Sequence, residues 1–323
     1  MKYRILQGTD LKVSAICLGT VKYGVEMAEK QAGEQLDRYL SLGGNFIDTA
    51  HVYGDWTPGE RAKSEHIIGR WLKQSGRREE VIISTKGCHP DMETVSVPRV
   101  TPECIVKDLD ESLQALQTDY VDLYFLHRDD TSIPVAELLG TLEERRKRGK
   151  IRWYGCSNWT LPRLMQAEEY AKAQGIPGFV CNQLMWSLAE INREGVADKT
   201  LVLMDSDTWQ YHRQVGKNAM AYTSVAQGYL SKRIRGEEIR PQLRAQYENE
   251  RNEQILRLLK ECGLPVSKIS LAYLMQQPFP TVPIVTFRTE QQLQEGLQSA
   301  DMTVPEELME ALDIIKEYGN GQK

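Results

Sequence analysis

The chain has 323 residues, 41% hydrophobic and 26% charged, with a formal net charge of -5. These proportions are those of a globular protein with a sizeable core, and the length fits either one large α/β barrel or two ordinary domains. The mild acidity and the lack of a clustered basic face argue against nucleic-acid binding, and no apolar run reaches membrane-spanning length.

The amino terminus, Met1-Lys2-Tyr3-Arg4-Ile5-Leu6, has no apolar h-region, so no signal peptide is expected. Residues 2–14 alternate around Gly8-Thr9-Asp10, which predicts a hairpin that could plug a barrel floor. Eight apolar runs follow: Ala15–Leu18, Asn45–Ile47, Val81–Ser84, Val121–Leu126, Ile151–Tyr154, Phe179–Cys181, Ala219–Tyr222 and Val282–Val285. Helical material separates them. Gln31–Leu42 has helical periodicity, Thr101-Pro102-Glu103 supplies an N-cap, a proline at N1 and an early acid, and Glu306–Tyr318 is amphipathic. The basic run Arg145–Arg148 with Lys150 reads as charge complementing a helix carboxyl terminus.

Eight alternating pairs without a composition break predict one (β/α)8 barrel over residues 1–323, with a hairpin at 1–14 and a flexible tail at 319–323. The turn Leu18–Gly24 does not match Gly-x-Gly-x-x-Gly, so an open dinucleotide-binding sheet is not indicated. Residues 87–99 and 223–252 are long polar segments, expected as substrate and cofactor loops. Cys17, Cys88, Cys104, Cys156, Cys181 and Cys262 contain no Cys-x-x-Cys pair, which suggests free thiols in a reducing cytoplasm rather than disulfides or a metal site.

Four ionisable residues stand at or just past strand ends: Asp48, Tyr53, Lys86 and His127. Taken singly, Asp48 could be a helix N-cap and Lys86 a surface residue. Together they form a chemical set. An ammonium favours a nearby phenolate, a carboxylate keeps that ammonium charged and oriented, and a neutral imidazole can align a carbonyl oxygen beside the phenol.

The segment Phe46-Ile47-Asp48-Thr49-Ala50-His51-Val52-Tyr53-Gly54 resembles the aldo-keto reductase signature. Further marks follow in the family's order: Ser84-Thr85-Lys86, Asp119–His127, Ile151–Asn158 and Asn182-Gln183, with the likeness running over about residues 3–297. It points to the NADP(H)-dependent, bacterial-type oxidoreductase branch. The resemblance implies a (β/α)8 TIM barrel that binds NADP(H) in preference to NAD(H), without a metal, and reduces aldehydes or ketones. Tyr53 would be the general acid, Lys86 and Asp48 would tune it, and His127 would orient the carbonyl. By the same resemblance Ser157, Asn158 and Gln183 hold the nicotinamide carboxamide and Tyr222 stacks on its ring. Gln227, Gly228, Leu230 and Lys232 lie where the family wraps the pyrophosphate, and Arg288, with Gln292 nearby, lies at the 2′-phosphate. Many relatives carry Gly-Thr/Ser-Arg followed by Gln and then Asn, whereas this chain has Thr286-Phe287-Arg288, Gln292 and Gly296.

His51, Trp56, His89 and Trp209 are expected near the substrate mouth, and Arg128 reads as a rim ion-pair residue or a substrate clamp. The partner expected is a small carbonyl compound, with no nucleic acid and no membrane; exposed barrel helices give no apolar seam from which to read an oligomeric state. A cofactor-binding regulatory or redox-sensing subunit with little turnover is the alternative function, and alcohol oxidation by the same groups is the reverse direction.

Overall fold

The computed structural model describes residues 1–318, so the tail expected at 319–323 lies outside the described residues. A short antiparallel pair, β1 (Tyr3–Ile5) and β2 (Lys12–Ser14), precedes eight barrel strands. These are β3 (Cys17–Gly19), β4 (Phe46–Asp48), β5 (Ile82–Gly87), β6 (Val121–Leu126), β7 (Ile151–Ser157), β8 (Cys181–Met185), β9 (Asn218–Tyr222) and β10 (Thr281–Val285). They pair in parallel and in sequence order, and β10 returns to β3 to close the cylinder. Each of the eight predicted runs supplies one strand.

The outer layer is α1 (Glu29–Ser41), α2 (Lys63–Ser75), α3 (Pro102–Leu116), α4 (Val135–Lys147), α5 (Leu161–Gln174), α6 (Ser206–Val215), α7 (Tyr229–Arg235), α8 (Pro241–Tyr247), α9 (Glu250–Cys262), α10 (Val266–Met275), α11 (Glu290–Gln298) and α12 (Glu306–Ile315). Local chemistry starts and stops them. The Thr101 hydroxyl accepts from Cys104 N ahead of Pro102 at the opening of α3, and Arg145, Arg146 and Lys147 occupy the last turn of α4. One expectation is corrected. The segment 223–252 is not an open loop, because Leu230, Leu243 and Tyr247 are buried and draw α7 and α8 against the barrel.

Side chains two residues apart on a strand share a face, so the barrel lumen has a sequence logic. Cys17, Phe46, Leu123, Phe125, Cys181, Met220, Val282 and Ile284 form one apolar cluster, joined from below by Leu6, Leu11 and Val13 of the hairpin. Backbone bonds between Gln7 and the Asn218 side chain, and from Ser14 N to Asn45 Oδ1 at 2.7 Å, fix that plug to the starts of β9 and β4. Moving two residues on, in the same register, turns the lining polar: Phe46 gives way to Asp48, Phe125 to His127, Cys181 to Gln183 and Met220 to Tyr222. Gly155 makes this packing possible, since a Cβ there would lie 2.5 Å from the Phe125 ring and 2.6 Å from the Cys181 carbonyl.

Three strands run three or more residues further than their apolar runs suggest. β7 continues to Ser157, β8 to Met185 and β5 to Gly87. Hydrophobic patterning stops where the lumen becomes polar, although the hydrogen-bonded ladder does not.

Candidate active site

Asp48 and Lys86 meet at the carboxyl ends of adjacent strands. Lys86 Nζ donates to Asp48 Oδ2 at 2.7 Å, to the Thr49 carbonyl at 2.7 Å and to the Tyr53 hydroxyl at 3.2 Å. Both side chains are almost fully buried, at 1% and 2% exposure. The other carboxylate oxygen of Asp48 accepts from Ser84 Oγ at 2.8 Å and from Gln183 Nε2 at 3.1 Å, so the buried charge is compensated on every side. Burial works against the Lys86 ammonium, yet Asp48 and Tyr53 outweigh it and hold the amine above its ordinary range. For Tyr53 the balance runs the other way: burial pushes the phenol above its usual value, and the pull of Lys86 only partly opposes it. The tyrosine is therefore a protonated donor at neutral pH.

The segment after β4 brings Tyr53 to this pair by continuing to bond with its neighbour. Thr49 N donates to the Ser84 carbonyl and His51 N to the Lys86 carbonyl, both at 2.9 Å. A buried chain of hydroxyls then ties the segment to α2. Thr49 Oγ1 donates to Ser64 Oγ, Ser64 Oγ to Thr20 Oγ1 and Thr20 Oγ1 to the Asp48 carbonyl, while Ser64 N holds the Tyr53 carbonyl at 3.2 Å.

His127 faces the tyrosine, with ring centroids 6.1 Å apart. Burial, followed by the charges of Arg128, His89 and Lys86, drives its pKa well below the ordinary imidazole value. Its Nδ1 is buried and has no hydrogen-bond partner among the described residues. A neutral ring beside a phenol donor is the arrangement a carbonyl oxygen can enter.

The expected cofactor residues fall into two groups. Ser157, Asn158, Gln183 and Tyr222 line the mouth next to the tetrad. Asn158, held at φ 60°, uses its whole amide: Nδ2 donates to the His127 carbonyl and to Ser157 Oγ, and Oδ1 accepts from Val202 N and the Tyr222 hydroxyl. A carboxamide reaching Asn158 must exchange one of these bonds. Further out, Gln227 and Gly228 sit in a backbone stretch where Thr223, Ala226, Gln227 and Gly228 all have positive φ, and Lys232 is half-exposed on α7. Leu230 is buried in the core, so only its backbone can meet a phosphate.

Arg288 is exposed and lies 3.4 Å from Glu26, while its backbone N donates to Gln292 Oε1. The two departures at this end are coupled. Phe287 is buried with Leu293 and Leu297, and a Cβ at position 296 would come within 2.4 Å of its ring. Phe287 thus points into the core beneath α11, and Gly296 makes room for it. This donor set suits a dinucleotide: an amide and a hydroxyl at the tetrad, an aromatic ring beside them, and two cations further along the rim.

Of the residues expected at the substrate mouth, two are there. Trp56 is 43% exposed with its ring 6.4 Å from Tyr53, and the His89 ring lies 4.8 Å from His127. The other two are not. His51 turns outward, where its Nε2 meets Glu111 Oε2 on α3 at 2.9 Å. Trp209 is buried on α6, stacked on Tyr318 at 5.2 Å with its indole N–H on Gln277. An aromatic near a loop in sequence was drawn into a helix core. Ser84, given no role in the sequence reading, belongs to the site; its place two residues before Lys86 on one strand was the available signal.

The sequence model of the Aldo/keto reductase family matches residues 15–317. A Bacillus subtilis protein named uncharacterized oxidoreductase YrpG is 31% identical, the alignment covering 98% of this chain and 96% of that one. Protein tas of Escherichia coli is 28% identical over 98% and 97% of the two chains. Norsolorinic acid reductase B of Aspergillus parasiticus is 26% identical over 99% and 85%. Among solved structures, the thermostable aldo-keto reductase Tm1743, crystallised with the inhibitor epalrestat, superposes with a TM-score of 0.72 at 23% identity, over 98% of this chain and all of that one.

Proposed function

This chain belongs to the aldo/keto reductase family, and on that premise we propose that it is an NADPH-dependent reductase of aldehydes or ketones acting in the cytoplasm. The observation that carries the reading is the buried Asp48–Lys86–Tyr53 chain beside a neutral His127.

NADPH, held at the mouth, would supply a hydride for the carbonyl carbon. The protein's own groups handle the oxygen. His127 aligns it, and Tyr53 releases its hydroxyl proton to it as negative charge develops. Lys86, held charged by Asp48, stabilises the phenolate left behind. Oxidation of an alcohol uses the same groups in reverse. Gln183 joins the two halves of the site, since the amide that would hold the nicotinamide also donates to Asp48.

Ser157, Gln183 and Tyr222 would hold the nicotinamide end, with Lys232 and Arg288 meeting the phosphates. The preference for NADPH rests on Arg288, whose guanidinium is 63% exposed and would exchange its 3.4 Å ion pair with Glu26 for a phosphate. The test is turnover of an activated aromatic aldehyde with NADPH and NADH in parallel, for the wild type and Arg288→Ala. The expected result is a preference for NADPH that the variant lowers by on the order of tenfold or more through KM for the cofactor. Equal use of both cofactors by the wild type would remove NADPH from the proposal.

A further inference from the structure

Arg128 has no part in the chemistry above, yet its guanidinium is buried against the catalytic histidine and engaged at all three nitrogens. Nη1 donates to the His127 carbonyl at 2.9 Å, Nε to Thr200 Oγ1 at 2.9 Å and Nη2 to Asp198 Oδ2 at 3.0 Å. The Arg128 carbonyl accepts from Trp159 Nε1 at 3.1 Å. Asp198 and Thr200 lie on the segment between β8 and α6. The other oxygen of Asp198 accepts from Thr200 N and Thr200 Oγ1, making a compact turn. A second bond, Val202 N to Asn158 Oδ1 at 3.0 Å, ties the same segment to the mouth.

We propose that Arg128 is a positioning residue with two effects: it latches segment 196–204 onto the mouth beside His127, and its fixed charge keeps that ring an uncharged partner for the carbonyl oxygen. This rests on the reductase reading. Arginine suits both tasks, since its planar fork holds three acceptors at once and its charge is permanent.

The groups facing His127 from each side identify the charge that matters. Lys86 comes from β5, but Asp48 sits 2.7 Å behind it. His89 follows β5 and is itself kept neutral by burial and by Arg128. Tyr53, its ring 6.1 Å away, completes the surround as a phenol raised by burial. Asp198 pairs with Arg128 from the far side, 44% exposed. After burial, Arg128 is the largest influence holding the His127 pKa down.

The test is the set Arg128→Met, Arg128→Lys and Asp198→Asn, read by KM and kcat against pH and by NMR titration of the histidines, of which the chain has five. In Arg128→Met, the His127 titration moves up by about one unit, an acid limb of the same midpoint enters the kcat profile, and KM for the carbonyl rises roughly tenfold. Arg128→Lys keeps the charge and loses the fork, so KM rises while the pH profile stays. Asp198→Asn raises KM alone. An unmoved His127 titration in Arg128→Met overturns the electrostatic effect, and unchanged KM in both other variants overturns the latch. If Arg128→Met does not fold, the same titration in Arg128→Lys decides: an upward shift comparable to that expected of the methionine contradicts the fixed-charge argument. The NMR titration needs no turnover, so a wild type that binds NADPH but reduces no carbonyl sinks the reductase reading separately.

Discussion

At the scale of single residues, the candidate site is built on a buried ion pair beside a phenol. Asp48 and Lys86 are shielded from bulk solvent, so each depends on the other and on Ser84, Thr49 and Gln183. Asp48→Asn leaves an uncompensated ammonium in the lumen; it should cost about 3–5 kcal/mol of stability and most of the activity, measurable by denaturant unfolding alongside turnover. His212 is a second buried titratable group, on α6. Its Nδ1–H donates to the Lys217 carbonyl and its Nε2 accepts from Asn182, an arrangement only the neutral ring satisfies, and burial drops its pKa to about 4. Because the folded pKa lies below the unfolded value near 6.5, the unfolded chain binds the proton first. Stability is then full above about pH 6.5 and falls toward pH 4 by about 3 kcal/mol from this group. A melting temperature independent of pH across that window would contradict the assignment. Asp48, Tyr53, Lys86 and His127 were legible because ionisable groups at the ends of apolar strands are rare. The outward turn of His51 and the burial of Trp209 were not, since which way a side chain points after the last strand residue depends on Glu111 and Tyr318, far away in sequence.

At the scale of elements, strand parity carries the site. On β4, β5, β6 and β7 the inward face is apolar toward the start and polar at or just past the carboxyl end, so the core and the tetrad share one register. That parity could be read from the sequence once the strands were placed, but hydrophobic runs alone stopped short on β5, β7 and β8. The carboxyl half of the molecule was harder to read, because α7 and α8 are each only seven residues long and gain their stability from packing rather than from a clear local pattern. The junction of β10 and α11 offers a test. Gly296→Asn restores the family's residue but drives a side chain into the Phe287 ring. Alone it should destabilise by about 1–3 kcal/mol, and the double variant with Phe287→Gly should lose less than the sum of the two single losses while retaining NADPH binding. Additive losses in the double variant would show that the two positions are independent.

For the molecule as a whole, the parallel closed sheet explains why residues from β4, β5, β6, β7, β8 and β9 converge on one mouth, with the hairpin sealing the opposite end. Barrel and plug were both readable as alternation and as an early hairpin; the rim was not, because its loops are set by contacts such as Arg128 with Asp198 that no local pattern encodes. The central claim is that Tyr53 gives the proton while the rest of the mouth binds the cofactor. The direct measurement is a single-turnover experiment with NADPH and an aldehyde that the wild type reduces, comparing wild type with Tyr53→Phe and measuring NADPH affinity in both. The variant should bind NADPH within about twofold of wild type and lose on the order of 10²–10⁴-fold in the hydride-transfer rate. Undiminished reduction by Tyr53→Phe would contradict it.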